Sequence, residues 1–178
     1  MIRAHVSILL GMCLATHVWA EDAPSSPASG AVPASGRSHP LAVNLATIGA
    51  LSCVERGNQV AMFLDPAQTS QSLVQAPPDN PNHRLIMATM VLQPQPGNYT
   101  INNIALSPGD ANGCGASYHT VAWVNLPCPK AEQTEFPNVK FTRINQFDVS
   151  TAVLSKNMWI LAMSAGPGCV IEKEEIVQ

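Results

Sequence analysis

Apolar positions recur along this chain with two different periods, and the change from one to the other divides it. Leu41, Leu45, Ile48, Leu51 or Ser52, and Glu55 follow the three–four spacing of a helix, with Gly57 as its expected C-terminal stop. Gly49 within that span weakens the helix by about 1 kcal/mol relative to alanine. Gln59 to Leu64 is short and apolar and either extends the helix or opens a strand, and Asp65-Pro66 ends it. Ala67 to Asn82, closing on APPDNPN, reads as a long loop around one apolar pair, Leu73-Val74.

The remainder reads as β. Arg84 to Leu92 is rich in Ile, Leu, Met and Val, and Tyr99 to Leu106 follows it after the Gln-Pro-Gln-Pro-Gly turn. Tyr118 to Leu126 is apolar on both alternating faces, which predicts a central strand covered on each side. Trp123 and Trp159, flanked by Val121, Val124, Ile160 and Leu161, are expected in the core. Lys130 to Phe136 predicts a short helical turn stopped by Pro137. Phe147 to Leu154, Met158 to Met163 and Cys169 to Val177 are joined by Ser155-Lys156-Asn157 and Ala165-Gly166-Pro167-Gly168, links short enough for an antiparallel meander. The expected fold is α+β, one N-terminal helix packed on an antiparallel sheet of five or six strands. No internal repeat is visible at this level.

Ahead of Leu41 the pattern differs again. Residues 1–20 carry Arg3, an apolar run from Val6 to Ala15, and Val18-Trp19-Ala20, the arrangement of an export signal. That run is well short of the roughly 20 residues a membrane span needs. Met12 is too bulky to precede a lipidated Cys13, so soluble export to the periplasm or beyond is expected. Residues 21–40, with Val32 as the only large apolar side chain, cannot bury enough surface to offset ordering and read as a flexible tether. Residues 41–178 form one expected domain.

Export changes the meaning of the cysteines. In an oxidising compartment Cys53, Cys114, Cys128 and Cys169 are expected to form two disulfides. Tyr118 to Leu126, extended, spans about 30 Å, whereas disulfide partners need Cα atoms within about 7 Å. Cys114 and Cys128 flank that strand and should not pair. Cys53–Cys114 with Cys128–Cys169, or Cys53–Cys128 with Cys114–Cys169, remain open.

Charge and motif then narrow the function. Charged residues make up 12% of the chain, and removing Arg3 with the signal leaves eight basic against twelve acidic side chains. No basic stripe exists, which argues against a nucleic-acid partner. No CxxC, HExxH, GxSxG or phosphate-binding loop occurs, so no cofactor or metal is implied. Met87 and Met90 have the spacing of some copper carriers, but on a strand they point to opposite faces. His119, with Glu172 or Glu174 from the last strand, is the one arrangement that could serve a small exported hydrolase. The favoured reading is a non-enzymatic binding protein for another envelope or secreted protein, for example an inhibitor or immunity protein. Its expected anchor is Leu73 and Val74 in the loop Ala67 to Asn82, beside the turn Ser107 to Ala116.

Overall fold

The computed structural model describes residues 38–95, 98–109, 113–144 and 147–177. The export signal and residues 21–37 of the expected tether lie outside them. The chain runs α1 (Pro40–Thr47), a 3₁₀ turn (Leu51–Cys53), α2 (Val54–Leu64), β1 (Gln71–Gln75), β2 (Ile86–Gln95), β3 (Asn98–Gly109), β4 (Gly113–Val124), α3 (Cys128–Glu135), β5 (Thr142–Ile144), β6 (Val149–Ser155), β7 (Met158–Ala165) and β8 (Gly168–Val177). All eight strands belong to one antiparallel sheet, in the order β1-β2-β3-β4-β8-β7-β6-β5. The fold is α+β, with eight strands where five or six were expected. The two missed strands are the edges. Gln71–Gln75 carries one apolar pair between glutamines, and Thr142–Ile144 is three residues long, so neither shows a usable period.

The helices start and stop for local reasons. Pro40 occupies the first turn of α1, where its missing N–H costs nothing, and His39 Nδ1 accepts the Leu41 N–H at 3.1 Å. Gly49, at φ +81°, ends α1 in the left-handed region that glycine tolerates. The predicted single helix is therefore two. Gly57 is not a stop: it sits inside α2 and is buried where α1 crosses, since a Cβ there would lie 2.3 Å from Leu45 Cδ1. His39 and Pro40, assigned to the tether from sequence, belong to the domain, and His39 is fully buried.

One face of the sheet carries both cores. Leu41, Leu45, Val60 and Ala61 from α1 and α2 pack on Ile86, Met90, Ile104, Leu106 and Tyr118 of β2–β4. Ala131 of α3 and the half-buried Phe136 and Phe141 pack on Ile160, Ala162 and Ile171 of β7 and β8. Register places these two sets on the same side: Tyr118 lies opposite Glu175 and Ala122 opposite Ile171, and alternation does the rest. Each disulfide clamps one helical layer to the sheet. Cys53, the N-cap of α2, joins Cys114 near the start of β4, and Cys128, the first residue of α3, joins Cys169 near the start of β8. Their Cα separations are 5.0 and 4.8 Å, which selects one of the two pairings left open.

The halves repeat one plan: a cysteine opening a helix, a four-stranded meander, and a second cysteine at the start of its last strand. Superposing Cys114 on Cys169 carries Tyr118 onto Lys173 and His119 onto Glu174. In the ladder His119 lies directly opposite Glu174, so the pseudo-twofold relation passes through that pair. The sequence shows no trace of this because the shared features are backbone plan and disulfide position, not side chains.

Candidate functional site

The opposite face of the sheet defines the site. Among the described residues no element packs on it. Alternation from the registered pairs gives its rows. One runs Leu73, Thr89, Asn103, His119, Glu174, Trp159, Val153, and the next Gln71, Val91, Ile101, Val121, Glu172, Leu161, Thr151. A third, at the far end of β4, runs Trp123, Val170, Met163, Val149, Ile144. Leu73, Val91, Ile101, Trp123, Val153 and Met163 are all exposed. Polar Thr89, Asn103, His119, Glu172 and Glu174 stand between these exposed apolar side chains.

β4 is central in the order, as predicted, but covered on one side only. The second apolar face of that strand belongs to the open side. Trp123, expected in the core, is 42% exposed. Its ring lies over Gly168 of β8, where a Cβ would come within 2.6 Å of the indole and of the Val124 carbonyl oxygen. Trp159, also expected in the core, is half-buried on the same face between Glu174 and Val153.

At the centre His119 bridges two carboxylates. Its Nδ1 lies 2.9 Å from Glu172 Oε1, and its Nε2 lies 3.3 Å from Glu174 Oε1. The side chain is 38% exposed. A neutral imidazole has one N–H and can donate to only one of them. The histidine thus meets both carboxylates named from sequence, on an open sheet rather than in a cleft.

Two other polar groupings lie on the covered side. His39 Nε2 stands 3.3 Å from Asp65 Oδ2 and 3.5 Å from Ser70 Oγ. Ser, His and Asp together suggest a hydrolytic triad, but here Asp65 and Ser70 meet the same nitrogen. Nδ1 already accepts the Leu41 N–H, so Nε2 carries the proton and is no base toward Ser70. Burial alone would raise the Asp65 pKa. Hydrogen bonds from the Ser70 N–H and hydroxyl, the Thr69 N–H and His39 override it and hold the carboxyl at about 2. This is a lock that closes the start of α1 onto the end of α2.

Between the two helical layers, Lys173 Nζ lies 5.7 Å from the Phe63 ring centre and 5.4 Å from that of Tyr118. It donates to the Tyr118 hydroxyl at 3.0 Å and pairs with Glu175 at 3.2 Å. Tyr118 in turn donates to Glu175. Burial, then the bond to Glu175 and its charge, push the phenol pKa well up. The adjoining cavity, lined by Phe63, Tyr118 and Val177, holds about 210 Å³, below the usual range for small-molecule sites.

The remaining residues named from sequence divide between the faces. Leu73 and Val74 are not in a loop but on the edge strand β1. Leu73 is 73% exposed on the open face, while Val74 packs against the α1–α2 core. Met87 is exposed on the open face and Met90 is buried, so their sulfurs share no site. The described helices include none long and apolar enough to cross a membrane. Comparison of the chain with protein-family models, curated proteins and solved structures finds no match.

Proposed function

We propose that the protein is a small exported binding protein that presents the open face of its sheet to another envelope or secreted protein. One observation carries this reading: Leu73, Val91, Ile101, Trp123, Met163 and Val153 stand exposed on one registered face over which no described element packs. Export is inferred from the Val18-Trp19-Ala20 pattern, and paired cysteines support it because disulfides persist in oxidising compartments. An inhibitor or immunity protein for an envelope-acting hydrolase is a concrete form of the same reading.

The test is co-purification from periplasmic extract with Val91→Ser and Ile101→Ser together, against Leu51→Ser as a control away from the open face. The reading expects the open-face variant to lose the partner at unchanged melting temperature. Equal capture by wild type and open-face variant would refute it.

A second reading has one observation behind it, the meeting of His119 with Glu172 and Glu174. A hydrolase would need substrate held beside the imidazole with a water placed to attack it, and an open sheet offers no enclosing pocket for that. His119→Ala should leave any esterase or glycosidase turnover of the purified protein unchanged. Loss of a measurable rate would favour the hydrolase.

A further inference from the structure

We infer that the surface docked on the open face is cationic and apolar, a protein segment that places a lysine or arginine between Glu172 and Glu174. This deepens the binding reading and rests on it. Across the registered pairs of that face Glu172 and Glu174 are the only acids, and no lysine or arginine faces them. They stand two residues apart on β8, framed by Val121 and Leu161 on one row and by His119 and Trp159 on the next.

A partner that covers this face takes both carboxylates out of water. His119 can bring at most one positive charge against two carboxylates. Covering both without added positive charge is costly, and a lysine or arginine on the covering surface offsets that cost directly. That charge balance weighs against three occupants. A second copy would bring four carboxylates together around two imidazoles. Phosphate-rich surfaces, nucleic acid or anionic lipid, would be repelled. Residues 21–37 hold one basic residue, Arg37, and one large apolar residue, Val32, too little to fill the face.

The dimensions agree with a protein occupant. Eight strands at about 4.8 Å span about 38 Å, and strands of this length give a face on the order of 1,000 Å², against about 800 Å² per partner in standard interfaces.

The probes are two amphipathic peptides with the same leucine face, one with lysines and one with glutamates on the other face. Binding is read from Trp123 and Trp159 fluorescence in the protein lacking residues 1–20. The inference expects the lysine peptide to bind at least about tenfold tighter, and E172Q/E174Q or about 0.5 M salt to erase the preference. The salt arm needs no variant to fold. A preference that survives both the double variant and salt would overturn the inference while leaving the binding reading in place. Binding to anionic vesicles, or concentration-dependent dimerisation through this face, would also overturn it. If neither peptide perturbs the tryptophans, the binding reading itself falls.

Discussion

A buried carboxylate can be held ionised by hydrogen bonds alone, and Asp65 shows how. It is buried, accepts the Ser70 N–H at 2.7 Å, and stays charged down to about pH 2. Because its folded pKa lies below the ordinary 3.8, the stability it supplies is fully present above about pH 4 and lost as the pH falls toward 2. We expect about 2 kcal/mol of acid-dependent stability to vanish over that window, and urea titrations of Asp65→Asn to show a flatter pH dependence. Equal slopes for variant and wild type would remove Asp65 from the account. A methyl on Gly168 meets both the Trp123 ring and the Val124 carbonyl oxygen, so Gly168→Ala should cost about 1–3 kcal/mol. A thermal melt checks it, and an unshifted midpoint would mean that β8 yields.

At the scale of elements, the disulfides decide which helix is secured by what. α3 buries only Cys128 and Ala131 fully and has a polar outer surface, so packing alone holds it weakly. Glu132, which accepts the Ser150 hydroxyl, and the Cys128–Cys169 bond supply the rest. Closing a 41-residue loop is worth about 4 kcal/mol in the chain-entropy model. Cys128→Ser with Cys169→Ser should therefore raise hydrogen exchange in residues 128–135 before any change in α2. Uniform loss of protection across both helices would show that the layers are not independent. The sequence predicted such elements well where the period was long and clean: β2, β3, β4, β6, β7 and β8 all contain their predicted cores. It failed at the edges, where β1 and β5 are too short or too polar to show alternation. It failed again at Gly57, because a glycine needed for helix crossing looks the same in sequence as a glycine that ends a helix. His39 reads as tether because nothing local shows that Asp65, far along the chain, completes its hydrogen bonds.

The molecule as a whole departs from its sequence pattern at β4. Both faces of β4 are apolar, and burial on both sides was the natural conclusion. Among the described residues both helical layers lie on one side, and the second apolar face, with Trp123, Val121 and their neighbours, lies on the other. Residue pattern encodes which side chains share a face, but not whether the chain itself covers that face. The same limit applied to the candidate chemistry. His119, Glu172 and Glu174 were legible as a trio, while the sheet that sets them in an apolar surround was not. If this face is open in the isolated protein, tryptophan fluorescence reports it. With residues 1–20 removed, Trp123 and Trp159 are the only tryptophans left. Acrylamide quenching of the native protein should be efficient and its emission shifted toward that of solvated indole. Blue-shifted emission that resists quenching until the protein unfolds would mean that the face is covered.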